Sequence, residues 1–331
     1  MKSIAVFNNK GGVGKTTLLC NLAAFLAVKH NKQVLVIDAD PQCNTTQSIF
    51  DDETIYNLYT KGEFTISTVV EPLSQGRGFL KDVEPKSSES FGVDVIPGDP
   101  RLSLTEDLLS GDWIQASAGD TRGLRTTFLF SYLLSQCSGY DYVFFDMGPS
   151  LGSINRAVLI AADYFIMPMA LDIFSLRALE NIGSTVTKWR TRLEQGLGNN
   201  DSLDALEIDE PRWKLKFAGY VVQQYTARRD NSGQPRAVKA YDKILKQVPK
   251  AVEKEIISKF GSEGSNAADY ELGTIPALHS LVPLSQTSRK PIFGLKAGDG
   301  VVGAHFTKVR EFEEVIEGIA QRLEENLGDE E

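Results

Sequence analysis

The sequence predicts a single α/β domain over residues 1–331, built on a doubly wound, mostly parallel sheet with helices on both faces. Near-continuous apolar runs that end in acidic or polar residues recur along the chain, as expected of parallel strands buried on both faces. Segments with apolar residues at helical spacing alternate with these runs. The 331 residues, 42% of them hydrophobic, suffice for one full core, with insertions expected near 51–92 and 197–270.

Composition restricts the class of function. The net charge of −9 excludes a generally basic nucleic-acid binder, so any such contact must use a local patch. Cys20, Cys43 and Cys137 form no ligand pair, which predicts a reducing, cytoplasmic compartment and argues against structural zinc. No stretch approaches 18 apolar residues, so we expect no membrane span. We also expect no signal peptide, because lysines interrupt the start.

The first predicted strand, residues 3–8, and the first predicted helix, 15–30, enclose the glycine-rich segment KGGVGKTT. This order predicts a phosphate-binding loop, because a helix N-terminus points unpaired N–H groups and a positive dipole end at an anion. Lys15 can reach the β and γ phosphates, and the Thr16 hydroxyl can bind Mg²⁺. Asn9 stands where the strict motif has glycine. The predicted nucleotide-binding residues of the loop are Lys10, Gly11, Gly12, Val13, Gly14, Lys15, Thr16 and Thr17.

Three carboxylates follow later strands. The run Gln33 to Asp38 continues into Ala39 and Asp40, and the run Tyr140 to Asp146 also ends in an acid. Doubly wound sheets place their ligands at the carboxyl ends of strands. Asp146 therefore has a Walker B arrangement, in which a carboxylate holds Mg²⁺ through water. The alternative for each Asp is a turn or helix-capping residue.

These segments resemble the ParA/MinD group of ATPases. KGGVGKTT looks like the group's deviant Walker A motif, and Asp38 to Gln42 matches its DxDPQ segment. The resemblance implies ATP and Mg²⁺ as cofactors and a dimer that sandwiches two ATP molecules. It also implies that Lys10 crosses the interface to the phosphates bound by the other subunit, and that Asp40 positions the attacking water. The implied catalytic residues are Lys10, Lys15 and Asp40, and the implied metal residues are Thr16, Asp38 and Asp146.

The chain departs from the family after Asp146. The family continues DxPPS, whereas Gly148 here replaces the first proline. We expect this glycine to loosen the segment that should sense the γ-phosphate.

The adenine base should lie near two further segments. A predicted strand over 215–223 resembles the family strand whose end reaches the base, and an amide of Gln223 or Gln224 could pair with the adenine edge. A solvated strand end fits these two residues equally well. The segment that ends in Pro276 resembles another family segment near the base.

A helix over 176–193 fits the one that packs at the family's dimer face. Residues 86–90 and 198–211 are expected to be surface loops.

Two segments are candidates for DNA contact. Residues 236–260 carry an apolar stripe and a basic stripe at helical spacing, and Pro249 should break or kink the helix. Residues 288–293, SRKPIF, match the family segment GKPIF. The alternative in both segments is ordinary solvated charge. The candidate residues are Lys239, Lys243, Lys246, Lys250, Arg289 and Lys290.

The last predicted helix, 306–327, has an apolar seam and an acidic surface. From Phe306 to the end there are three basic and nine acidic residues. Anionic lipid would repel such a segment, so we expect no membrane contact.

Together these features predict a cytoplasmic Mg-dependent ATPase that acts as an ATP-driven dimerisation switch. By resemblance, the ATP-bound homodimer would bind DNA non-specifically, which would make it nucleoid-associated, and a ParB-like or cargo-adaptor partner would stimulate hydrolysis. Its role would be to segregate or position DNA or another cargo. Two alternatives remain open: a non-partition role in defence or cargo positioning, and a small-molecule ATP-dependent synthetase of the same fold.

Overall fold

The structure, a computed structural model, describes residues 1–223, 244–278 and 280–328. Eight strands of these residues form one sheet in the order β3-β4-β2-β5-β1-β6-β7-β8. Within the described chain, β3 runs antiparallel to β4, and the other neighbours are parallel. The strands are β1 Lys2–Val6, β2 Val34–Asp38, β3 Lys86–Ser88, β4 Val93–Ile96, β5 Tyr142–Asp146, β6 Tyr164–Ala170, β7 Lys216–Gln223 and β8 Glu271–Ile275.

Helices cover both faces of the sheet. The helices are α1 Lys15–Lys29, α2 Asn44–Ile49, α3 Asp52–Thr60, α4 Ile66–Ser74, α5 Glu106–Ala118, α6 Thr121–Thr127, α7 Leu129–Ser135, α8 Ser153–Ala161, α9 Ile173–Gly198, α10 Val248–Val252, α11 Ser258–Phe260, α12 Leu281–Ser288 and α13 His305–Leu327. Alternate strand residues enter two separate apolar cores, with Ala5 in one and Ile4 in the other. The predicted doubly wound class is therefore confirmed.

The register of the central strands positions the site. Asp38 at the end of β2 and Val6 at the end of β1 both pair with Asp146 of β5. β1 lies between β5 and β6, and the strand order runs outward from β1 toward both edges of the sheet. Ligands bind at such a switch point in the strand order, beyond the carboxyl ends of the strands.

The structure corrects the loop expected at residues 86–90. Lys86–Ser88 form the edge strand β3, which pairs with β4 through Lys86 opposite Val95. A polar edge strand of three residues has no apolar alternation, so its sequence does not reveal it. The poorly patterned stretch before it contains α3 and α4.

The helix break expected at Pro249 is confirmed, since α10 begins at Val248 with the proline in its first turn. Among the described residues, no helix is both long and apolar enough to cross a membrane.

Candidate functional site

The loop between β1 and α1 forms one wall of a cavity of about 570 Å³. Gly12 and Gly14 have φ angles of 72° and 75°, a left-handed conformation that favours glycine. This path aims the first N–H groups of α1 at the cavity, as anion binding requires. The lining residues include Gly11, Gly12, Val13, Gly14, Lys15, Thr16, Thr17 and Asp40.

Lys15 is the buried cation of this cavity. Burial lowers its pKa, and the charges of Asp146 and Asp40 partly offset that effect. Its Nζ lies 3.5 Å from the Lys10 carbonyl oxygen, a weak hydrogen bond for an ammonium group. Lys15 is thus held beside the carboxylates and has donors to spare for an anionic ligand.

Asp146 is fully buried and has one oxygen without a partner. The hydroxyls of Thr16 and Thr45 each donate to its Oδ2 at 2.8 Å. Its Oδ1 has no hydrogen-bond partner among the described residues. Burial raises the pKa of Asp146, the two threonine hydroxyls oppose that rise, and Asp40 adds to it. A carboxylate oxygen without a protein partner fits a site for a metal ion or for its water ligands.

Asp38 is also fully buried, and its Oδ1 accepts a long bond from the Asp40 N–H at 3.4 Å. Its Oδ2 accepts bonds from the Thr46 N–H at 2.8 Å and from the Thr46 hydroxyl at 2.7 Å. The same hydroxyl accepts a bond from the Gly98 N–H at 2.7 Å. Burial, followed by the charge of Asp146, raises the pKa of Asp38. Asp38 therefore organises the loop after β2, and its metal role stays a prediction.

Asp40 lies where the loops after β2 and β5 meet. It is 5% exposed, and its Oδ1 accepts a bond from the Gln42 N–H at 3.0 Å. A methyl group added to Gly148 would lie 3.3 Å from that oxygen, so the loop after β5 packs closely against Asp40.

The expectation that Gly148 loosens this loop stays a prediction, and the contacts of Asn155, a buried residue of α8, act against it. Its side-chain amide donates to the carbonyl oxygens of Gly148 and Ser150, each at 2.7 Å. These two bonds fasten the backbone that the missing proline would otherwise stiffen.

Lys10 occupies a different place from Lys15. It is absent from the described lining of the phosphate-side cavity, and its Nζ forms an ion pair with Asp172, the residue that caps α9. Burial would raise the pKa of Asp172, but hydrogen bonds from Lys10 and Ser175 outweigh that effect and lower it. The two lysines of the loop thus have separate counter-charges.

A second cavity, of about 440 Å³, adjoins the first and shares Gly12, Val13, Gly14 and Thr17 with it. Its other walls include Gln223, Pro276 and Leu278, which give it a partly apolar surface. A methyl group added to Gly14 would lie 3.0 Å from the Gln223 amide nitrogen. Pro276 lines this second cavity, and its contact with the adenine base stays a prediction, whereas Gln224 is outside the described residues.

The DNA candidates divide into three groups. Lys239 and Lys243 lie outside the described residues. Lys246 and Lys250 are exposed, and neither has an ion pair with a described residue. Arg289 and Lys290 pair with Asp52 at 2.9 Å and Asp299 at 2.7 Å.

Several site residues escaped sequence reasoning: Thr45, Thr46, Gly98, Asn155 and Asp172. The two threonines closely follow the acidic loop, so their hydroxyls were a weak local signal. Asp172 had none, because Lys10 belongs to a distant loop. Asn155 binds the loop just before its own helix, but no motif marks an amide at that position. Among the described residues, no cluster of three or more His, Cys, Asp or Glu side chains is arranged to hold a metal. Nucleotide-bound Mg²⁺ needs fewer protein ligands, because phosphates and waters supply the others.

Comparisons with known proteins agree with this geometry. The family described as an AAA domain matches residues 1–199. A ParA family protein of Chlamydia muridarum is 30% identical over 219 residues, which cover 65% of this chain and 74% of that protein. The crystal structure of protein DIP2308 from Corynebacterium diphtheriae is 30% identical, with a TM-score of 0.67 over 87% of this chain and 97% of that one. The ATP complex of McdA(D38A) from Cyanothece has a TM-score of 0.62 over 98% and 96% of the two chains; at 16% identity it shows the fold alone.

Thr46→Val should destabilise the protein by about 2–4 kcal/mol, because it removes a hydrogen bond to a buried carboxylate and leaves the Gly98 N–H unpaired. Urea denaturation measures the change. Thr46→Ser keeps the hydroxyl and should recover most of the loss. Thr60→Val, on an exposed face of α3, is the matched control and should stay within about 0.5 kcal/mol of wild type. Equal stability of Thr46→Val and the control would show that the bridge contributes little.

Proposed function

Because this chain belongs to the ParA/MinD-type P-loop ATPase family, we propose that it is a Mg-dependent ATPase in which ATP drives dimerisation. The observation that carries this proposal is the divergence of Lys10 and Lys15. Lys15 lies in its own cavity beside Asp40 and Asp146, whereas Lys10 lies outside the described lining of that cavity. A lysine directed away from its own phosphate site is available to the phosphates of a second copy.

The described residues fit ATP with Mg²⁺. The helix N-terminus and Lys15 would bind the β and γ phosphates. Thr16 and the open oxygen of Asp146 would hold Mg²⁺ directly or through water. When bound, Mg²⁺ neutralises charge on the phosphates. Asp40, fixed between two loops, would orient the attacking water, since phosphoryl transfer depends on positioning and electrostatics.

Exposed apolar side chains beside Lys10 support a second copy as the partner. Ile173 and Phe174 directly follow Asp172, and they are 55% and 71% exposed. Isolated exposed apolar residues are common, but two in succession next to a charged loop suit a surface that dimerisation covers. The γ-phosphate would add contacts only in the dimer, so its hydrolysis would remove the preference of the protein for the dimer over the monomer.

We further propose that the dimer binds DNA non-specifically and positions DNA or another cargo, with a partner protein that stimulates hydrolysis. Lys246 and Lys250 support a local cationic patch on an otherwise acidic chain. A role in defence or another positioning system would use the same nucleotide switch.

ATP should convert wild-type protein from monomer to dimer, whereas ADP should not. Lys10→Ala should remain monomeric with ATP because it removes the proposed contact in trans. Sedimentation velocity measures the change, with Lys61→Ala, an exposed lysine after α3, as the control. An ATP-bound wild type that stays monomeric contradicts the switch.

Asp40→Asn should retain ATP binding and dimerisation but lose turnover by about 100-fold, the scale of a lost catalytic side chain. Phosphate release and fluorescent-nucleotide titration separate the two effects. Asp201→Asn, at an exposed position, is the control. Unchanged turnover in the Asp40 variant rules out its water-positioning role.

DNA binding should require ATP and weaken with salt. Lys246→Ala with Lys250→Ala should reduce the log–log salt slope by about 1–2, because each lost phosphate contact removes about 0.9. Lys290→Ala should change the slope less, because Asp299 already pairs with Lys290; Arg289 is kept because it also lines the nucleotide cavity. Fluorescence anisotropy with duplexes of two unrelated sequences tests the slope and the lack of sequence preference. An identical slope in the lysine variant would remove this surface from the proposal.

A further inference from the structure

The two oxygens of Asp172 have different partners. Its Oδ1 accepts bonds from the Ser175 N–H at 3.0 Å and from the Ser175 hydroxyl at 3.3 Å, which caps the first turn of α9. Its Oδ2 pairs with the ammonium group of Lys10. One carboxylate therefore caps a helix and binds the proposed switch lysine at the same time.

Buried contacts hold the two residues near each other. Asn8, which is 1% exposed, donates from its side-chain amide to the Pro168 carbonyl oxygen of β6 at 2.8 Å. Its side-chain oxygen accepts the Lys10 N–H at 3.0 Å. β6 leads directly into α9, so Asn8 fixes the backbone of the phosphate-binding loop relative to the turn that carries Asp172.

The location makes Lys10 dependent on the charge of Asp172. A helix N-terminus repels cations, so an ammonium group beside the start of α9 needs a carboxylate there. The pair is also partly solvated, with side chains that are 26% and 40% exposed. An ion pair of that exposure favours the paired state of the two side chains over the separated state by about 1.4- to 5-fold, so it is weak enough to be broken.

We propose that Asp172 retains Lys10 on its own chain when no nucleotide is bound, and that Lys10 must leave Asp172 before it reaches the nucleotide of a second copy. This inference rests on the proposed dimerisation switch and adds a restraint to it. A two-fold symmetric dimer releases two such pairs. Loss of the restraint should therefore tighten ATP-dependent dimerisation by about 2- to 30-fold.

Asp172→Asn is the decisive variant. Asn can still cap α9 through its Oδ1, but it places an amide N–H where Lys10 found a carboxylate oxygen. Asp120→Asn is the matched control, because Asp120 caps α6 by accepting the Gly123 N–H at 2.8 Å. Asp120→Asn should keep the wild-type urea midpoint, whereas Asp172→Asn should shift the equilibrium toward the unfolded state by no more than the contribution of the lost pair, about 1.4- to 5-fold. Asp172→Ser gives a second uncharged cap if the Asn variant folds poorly.

Two measurements test the restraint. In nucleotide-free protein, limiting amine acetylation followed by mass spectrometry should show at least twofold higher labelling of Lys10 in Asp172→Asn, relative to Lys61 in the same sample. With ATP, sedimentation velocity should show tighter dimerisation of Asp172→Asn, and Asp120→Asn should match wild type in both measurements. Unchanged Lys10 labelling, or unchanged or weaker dimerisation while wild type dimerises, overturns the restraint. A wild type that does not dimerise with ATP instead refutes the proposed switch, and the labelling result still decides whether Asp172 retains Lys10.

Discussion

The site depends on the burial of three carboxylates beside one lysine. Asp38 and Asp146 are fully buried and Asp40 nearly so, at the ends of neighbouring parallel strands. Buried charges destabilise a fold by several kcal/mol unless hydrogen bonds or counter-charges compensate them. The threonine hydroxyls that face Asp38 and Asp146 supply part of that compensation. They leave one oxygen of Asp146 without a hydrogen-bond partner among the described residues, so this end of the sheet suits a cation together with an anionic ligand.

The same compensation joins the loops around the cavity into one hydrogen-bonded unit. Thr46 connects Asp38 to the turn at Gly98, and Asn155 fastens the loop that packs on Asp40. The Thr46–Gly98 bond joins two distant chain segments, whereas the Asn155 bond holds one loop to the helix that follows it. A change in charge at one carboxylate would therefore act on the backbone of loops after β2, β4 and β5. This connectivity is the physical basis on which a γ-phosphate could alter the shape of the surface.

Charge is divided between surfaces with different roles. Lys15 lies inside the cavity, Lys10 lies at its edge with Asp172, and the exposed Lys246 and Lys250 lie on another segment. The proposed nucleotide chemistry would need the first, the proposed exchange between chains the second, and the proposed contact with DNA the third. An overall acidic protein could combine these functions because salt screens exposed charges beyond about 10 Å. Family membership supports the first of these roles, whereas the other two are proposed from residues outside the lining of the cavity.

Patterns within short stretches of the chain were enough to predict the parts of the site whose geometry is local. A strand, a glycine-rich turn and a helix N-terminus form the phosphate loop within one segment, and acids that end apolar strands reach the same edge of a parallel sheet. The hydrogen-bond and ion-pair partners of those groups depend instead on how the folded chain packs. Lys10 and Asp172 lie 162 residues apart, and Thr46 and Gly98 lie 52 residues apart, so no local periodicity connects either pair. β3 likewise is a strand only because β4 offers it an edge. Local patterns record backbone conformation and burial, whereas hydrogen bonds between distant segments form only when the packed sheet brings those segments together.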